Sequence, residues 1–426
     1  MNKVKINFIL APLPFLGDPK RNAALGVMYL AAITEQAGHP TIITDLRDKN
    51  LEDCLVLIPE SQVYAFSSTT PEYHYCCKIA RLLKERDKHA LIIIGGVHAT
   101  VCPDDIDSCF DVVAVGGGER VIIEILDDFK NGKRSRFYRS QLVNDLSTLP
   151  YPARHLLPRE SFVSYSLVEK NKAATSVMVS RGCAFNCAFC TSKAMWHQKC
   201  RYRSVRDVID EIKELREKYG IEQLRFQDDS LVINKKWIFE FCKALKPLHF
   251  VWRANARVEN SSDDIISAMK DAGCDELCYG IESLEQEVLN KCNKKMKIID
   301  AVACLKNVKK LKMKTRVFLI IGLPGQDKSV AKNMIDFIKD IGPSGVDLST
   351  FVPFPGSDIY RNPSLYGIRI KEEIGFDDYV MTRGLFGDER NKDFVFLHDK
   401  LSNDELKALR NEILSFIRER NLDINK

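Results

Sequence analysis

Short, almost unbroken apolar runs recur along this chain, and most are followed by a segment of helical period. "KINFIL", "TIITDL", "VYAFSS", "ALIIIGG" and "DVVAVGGG" alternate with "ALGVMYLAAITEQAGH", "EYHYCCKIARLLKERD" and "ERVIIEILDDFKNG". Strands that are apolar on both faces and separated by helices belong to a parallel sheet covered on two sides. Five such strands predict a doubly wound, Rossmann-like domain over residues 1–135. Ligands of these sheets bind beyond the carboxyl ends of the strands. Polar and glycine-rich residues gather there: Ser67, Ser68 and Thr69; Gly95, Gly96 and His98; Gly116, Gly118 and Glu119.

The rhythm lapses over 136–172, where "NDLSTLPYPARHLLP" carries three prolines and reads as a surface linker. A second series fills 173–360. Its strands are "ATSVMVS", "EQLRFQDD", "FVWRANARVE", "ELCYGIES", "TRVFLIIGLPG" and "GVDLSTFVPFPG", with helical segments between them. Six strand–helix units, each strand closing on a polar or glycine-rich motif, predict a partial (β/α)6 TIM-type barrel with its chemistry at the carboxyl ends. Residues 361–426 end in the amphipathic "NDELKALRNEILSFIRER" and are expected to form a helical cap. The whole is an α/β protein.

Composition excludes several classes. A 426-residue chain with 45% hydrophobic and 28% charged residues is globular and multidomain. It has no apolar run of about 18 residues and no signal-peptide cleavage region at its start, so a cytoplasmic location without membrane association is expected. The 63 basic and 58 acidic residues leave a net +5, which permits anionic ligands and gives no argument for nucleic acid. Oligomeric state is open.

Fourteen cysteines in a cytosolic protein should be mostly reduced. Eleven are scattered through apolar contexts, as in "FEFCKAL", and read as small buried hydrophobes. The other three, Cys183, Cys187 and Cys190, stand together in "SRGCAFNCAFC". Zinc would need a fourth ligand, with Cys200 or His197 as candidates. A four-iron cluster held by three thiolates instead keeps one iron open.

C-x3-C-x2-C after the first strand of a six-stranded barrel resembles the radical S-adenosylmethionine (SAM) superfamily, with Phe189 as the aromatic residue before the last cysteine. The resemblance implies a 4Fe-4S cluster on the three cysteines and SAM on its open iron. One electron, from a donor such as flavodoxin or ferredoxin, would cleave SAM to a 5′-deoxyadenosyl radical. It also implies SAM contacts from Asp228 and Asp229 in "FQDDS", Arg257 in "ANARVE", Glu282 and Ser283 in "GIES", and Gly322, Leu323 and Pro324 in "GLPG".

The first domain is similar to the cobalamin-binding subclass of that superfamily. "LGVMYLAAITEQAGH" (Leu25, Gly26), "AFSSTT", "GGVHAT", "VGGGER" and "LPYPAR" occur in the expected order. Gly117 departs from the usual G-E-G-E, and no D-x-H-x-x-G supplies a lower axial histidine. His98 is expected to pack against the cofactor tail or close its turn, not to ligate cobalt. The resemblance implies a cobalamin-dependent methyltransferase acting on an unactivated carbon of a small molecule. The alternatives are a ring contraction, a cyclisation or aminocarboxypropyl transfer, with or without cobalamin. Catalytic side chains are not identified, and no motif names the substrate.

Overall fold

The computed structural model describes residues 3–165, 169–372, 374–379 and 394–422. It forms two compact units: residues 1–164 with 201–203 and 375–377, and residues 165–200, 204–374 and 378–426.

The first unit is built on a six-stranded parallel sheet. Its strands are β1 (Ile6–Leu10), β2 (Thr41–Asp45), β3 (Val63–Ser67), β4 (Leu91–Gly95), β5 (Val112–Gly116) and β6 (Phe137–Ser140), in the order β2-β1-β3-β4-β5-β6. Three helices, α1 (Leu25–Gln36), α2 (Tyr73–Arg86) and α3 (Gly118–Lys130), follow β1, β3 and β5. The β4 residues Ile92, Ile93 and Ile94 are all buried, as a sheet covered on both faces requires. Strand order reverses between β1 and β3, which opens a crevice at their carboxyl ends. The five expected strands are present. The sixth, β6, falls in the expected linker. It is an edge strand of four residues in which only Tyr138 is buried, so its polar alternation imitates a loop.

The second unit holds a curled half-barrel of β7 (Ala174–Val177), β8 (Gln223–Phe226), β9 (Val251–Ala256), β10 (Cys274–Glu282), β11 (Lys314–Ile321) and β12 (Gly345–Thr350). Each strand pairs in parallel with the next in sequence. Helices α4 (Val205–Tyr219), α5 (Lys235–Leu245), α6 (Asp263–Asp271), α7 (Ile298–Lys310) and α8 (Val330–Ile341) alternate with them. In α4, Val205, Val208, Ile209, Ile212 and Leu215 form the buried face. The Ser204 hydroxyl accepts from the Asp207 N–H at its start, and Gly220 in the left-handed region ends it.

Strand side chains in this unit alternate. Phe226 and Trp252 point to the helix layer, where both pack edge-to-face on Phe241 of α5. Arg225, Arg253, Glu276 and Arg316 occupy the alternate positions, the row opposite the helices. The C-terminal helix α9 (Asn403–Glu419) opens with a Ser402–Glu405 capping box, in line with its sequence pattern. The 361–426 region is not helical alone: β13 (Ile368–Ile370) and β14 (Phe396–His398) pair antiparallel. No described helix is long and apolar enough to cross a membrane.

Candidate active site

The three clustered cysteines lie in the loop that follows β7. Gly182 starts this loop at φ +94°, where an added Cβ would run into the Lys199 carbonyl and Trp196. Only glycine fits there. The loop is anchored from below by Asp228, just beyond β8. Its Oδ1 accepts from the Val179 N–H (3.2 Å), the Ser180 N–H and the Ser180 hydroxyl (2.6 Å). Its Oδ2 is buried without a partner. Burial pushes this carboxyl up to about 7 against the pull of those hydrogen bonds. On the outer side, the Ala188 N–H donates to the Cys292 carbonyl (2.8 Å) and the Asn293 amide donates to the Asn186 carbonyl (2.7 Å).

Cys187 is buried, Cys183 partly exposed and Cys190 exposed. Arg257 closes the site from the end of β9. Its Nη1 lies 3.6 Å from the Cys187 sulfur and its guanidinium 3.7 Å from the centre of the Phe185 ring. Glu259 pairs with the same guanidinium at 2.5 Å. Burial raises the Cys183 thiol, while the charge of Arg257 pulls it the other way. Three soft sulfur donors beside a fixed cation fit an anionic thiolate-bound iron–sulfur cluster. Among the described residues, no three His, Cys, Asp or Glu side chains converge as a single metal ion would need.

Of the two aspartates, Asp229 is the one beside the thiols. Its Oδ2 accepts from the Ser192 hydroxyl (2.8 Å), and its charge acts on both Cys183 and Cys190. Glu282 ends β10 at φ +68°, in the left-handed region, next to a bulge in the β10–β11 register. Its carboxylate meets the Nζ of buried Lys294 at 3.3 Å. Ser283, by contrast, is fully buried and its hydroxyl is held by Glu285 and Gln326. The Gly322–Pro324 turn is also tied to its own chain. Gln326 Oε1 accepts from the Gly322 and Leu323 N–H groups (2.7 and 3.0 Å), and the Leu323 carbonyl lies 3.1 Å from His398 Nε2. Phe189 is partly exposed in the cysteine loop.

In the first unit, Ser67, Gly95 and Gly116 end β3, β4 and β5 along one sheet edge. Three glycines there answer to the chain's own packing. A Cβ on Gly96 would stand 2.7 Å from the Ser68 nitrogen, one on Gly116 would stand 2.8 Å from the Ser140 oxygen, and one on Gly118 would stand 3.1 Å from Leu30. Gly95 sits in ordinary contact with Ala114, and Leu25 is buried. Gly26 differs: it is exposed and a Cβ there would meet nothing within 4 Å. With part-exposed Ser67 and Glu119 and exposed Thr69, it leaves this edge open to a large ligand. Ser68 is buried, its hydroxyl donating to the Thr69 carbonyl. His98 is fully buried between Tyr73 and Phe376, with Nδ1 on Thr70 (3.2 Å) and Nε2 unpartnered. It is packed inside its turn.

Comparison with known proteins agrees with both halves of this description. The radical SAM superfamily model matches residues 177–338, and the B12 binding domain model matches residues 21–126. The chain thus carries a radical SAM domain and a B12 binding domain. Similar proteins include an uncharacterised methyltransferase of Pyrococcus horikoshii, 26% identical over 79% of this chain and 77% of the relative. Another is the cytidylyl-2-hydroxyethylphosphonate methyltransferase of Streptomyces wedmorensis, 25% identical over 83% and 80%. Among solved structures, the radical SAM methyltransferase TsrM of Kitasatospora setae, with cobalamin and a 4Fe-4S cluster bound, superposes with a TM-score of 0.70. It is 12% identical and the match covers 98% of this chain and 89% of that one.

Several residues of this site escaped the sequence. Lys294 sits in "NKKMK" beside exposed Lys295, and nothing local tells the buried lysine from the solvated one. Gln326 follows the "GLPG" motif directly, yet its role depends on a turn that brings its side chain back on itself. Gly182 was in plain view before Cys183. A glycine next to a ligand loop is the signal that finds it.

Proposed function

We propose that this chain is a cobalamin-dependent radical SAM methyltransferase that methylates an unactivated carbon of a small molecule in the cytoplasm, with flavodoxin or ferredoxin as electron donor. The observation that carries this reading is the pairing in one chain of a B12 binding domain and a radical SAM domain, supported by the shared fold with TsrM, whose structure holds cobalamin and a 4Fe-4S cluster. Bound here, the cluster would supply the electron that splits SAM, and the corrinoid would supply the methyl group.

The chain's own residues position and shield. Cys183, Cys187 and Cys190 are the cluster ligands in this reading, and Arg257 balances their negative charge. Asp229 and Glu282 offer carboxylates for the amino and ribose groups of SAM, and Lys294 offers a cation for its carboxylate. Asp228, Ser283 and Gln326 act behind them by holding the cysteine loop and the Gly322–Pro324 turn. At the first unit's edge, Gly26, Ser67 and Thr69 receive the corrinoid. His98, buried between Tyr73 and Phe376, would support this edge from behind and not hold the corrinoid itself.

Anaerobic reconstitution should give about four irons per chain. Cys187→Ala should abolish iron binding, while Cys200→Ala should retain it. Deuterated-methyl SAM should yield labelled product. Gly26→Leu is expected to remove the corrinoid and methyl transfer, yet keep the iron and slow release of deoxyadenosine. Gly96 is unsuitable for this test, because a side chain there strikes Ser67 and Ser68 whether or not a ligand binds. A product without added methyl would favour a ring contraction, cyclisation or aminocarboxypropyl transfer.

A further inference from the structure

The net charge of +5 conceals an uneven distribution. Residues 291–314 contain nine lysines and one acidic residue, Asp300, so the rest of the chain is net negative. Eight of these lysines are exposed; only Lys294 is buried. Lys291, Lys306 and Lys314 pair with Asp399 (3.9 Å), Asp340 and Asp275, whereas Lys295, Lys297, Lys310 and Lys312 make no ion pair among the described residues. Concentrated charge without internal partners favours an oppositely charged ligand, and its field speeds encounter.

Two features say what this surface meets. The first is its place. Lys291, Lys295 and Lys297 flank Cys292 and Asn293, the two residues that bond the outer side of the cysteine loop at Ala188 and Asn186. Lys295 is two residues from Asn293, so at most about 8 Å of backbone separates it from that contact. The second is Ile299, which is 76% exposed at the start of α7, two residues after Lys297 and on the same helix face as Lys306 and Lys310. An exposed branched side chain on a lysine-rich face has the form of a docking centre with a charged rim.

We propose that this face, centred on Ile299 with Lys291, Lys295 and Lys297, docks an acidic one-electron carrier protein and delivers its electron through the 292–293 segment to the cysteine loop. This rests on the radical SAM reading above. In the step, the carrier's reduced flavin loses one electron, the cluster gains it, and no atom is transferred.

The test uses the reconstituted full chain and an acidic flavodoxin. Calorimetric titration should show binding that weakens at least tenfold between 50 and 300 mM salt. The combined variant Lys291→Glu, Lys295→Glu, Lys297→Glu should weaken it at least tenfold at low salt, and Ile299→Asp should also weaken it. Reversal of Lys213 and Lys218 on α4 should change nothing. With dithionite as a small reductant, the triple variant should cleave SAM at the wild-type rate. Wild-type flavodoxin affinity in the triple variant, or a loss equal to that from Lys213 and Lys218, overturns the docking surface. Failure of the wild-type chain to cleave SAM with dithionite overturns instead the reading on which it rests.

Discussion

In the first unit's sheet, Ile92, Ile93 and Ile94 are buried one after another, whereas in the second unit's sheet buried Trp252 and Ala254 flank Arg253, which is only partly buried. Both sheets are parallel. The first is apolar on two faces, so its chemistry is confined to an edge. The curled one is apolar toward its helices and charged on the other row, so chemistry can occupy a face. Across that row, Glu276 joins two neighbouring strands, its oxygens 3.0 Å from Arg253 and 3.2 Å from Arg316.

The contrast can be broken by substitution. Glu276→Leu would leave two largely buried guanidinium groups without their shared carboxylate, and removing one partner of a buried pair costs about 3–5 kcal/mol. Ile93→Val in the first sheet removes one methylene and should cost about 0.5–1.5 kcal/mol. Denaturant unfolding of each variant measures both. Equal losses would show that the charged row carries no more structural weight than an apolar one.

The two regions were also legible to different degrees. Continuous runs such as "ALIIIGG" announce a parallel strand without any partner being known, and five strands of the first sheet are readable that way. The cysteine loop is equally local, because three ligands lie within eight residues. What stayed hidden depends on distant contacts. Ser283 looks like a ribose ligand in "GIES", but Gln326, from a turn 43 residues later, occupies its hydroxyl. Gly96 and Gly116 look like cofactor glycines, but Ser68 and Ser140 explain them. A motif shows that a residue type is needed, and only packing shows for what.

Acid should separate the units. His98 in the first is buried and its pKa lowered to about 4, so it stays neutral when folded but protonates near its ordinary range when unfolded. The unfolded state binds more protons between those values, and stability is lost as pH falls through the unfolded range. Asp228 in the second unit has the opposite sign. Its carboxyl, pushed up to about 7, holds a proton in the folded state from which the unfolded state has already parted, so stability is gained as pH falls toward 5. Each effect is about 2 kcal/mol between pH 7 and 5. Hydrogen exchange resolved by residue should show the first unit weakening and the second strengthening. His98→Gln should remove the first trend and Asp228→Asn the second.

The smallest expected difference concerns helix starts. Ser204 caps α4 with its hydroxyl, while the residues preceding α1 and α3 supply no side-chain cap. Before α2 the chain uses a capping box, in which the Thr69 N–H donates to the Glu72 carboxylate (3.3 Å) and the Thr69 side chain accepts from the Glu72 N–H. Thr69 was expected at the cofactor edge from its place after β3, and this pairing gives it a second task. Loss of such a cap costs about 1 kcal/mol. Ser204→Ala and Thr69→Ala should therefore lower apoprotein stability by similar amounts in thermal unfolding. Only Thr69→Ala should also weaken corrinoid binding, since Ser204 belongs to the barrel unit. A Thr69 variant with unchanged apoprotein stability would mean that the Glu72 pairing holds nothing in place, and that the residue answers to the ligand alone.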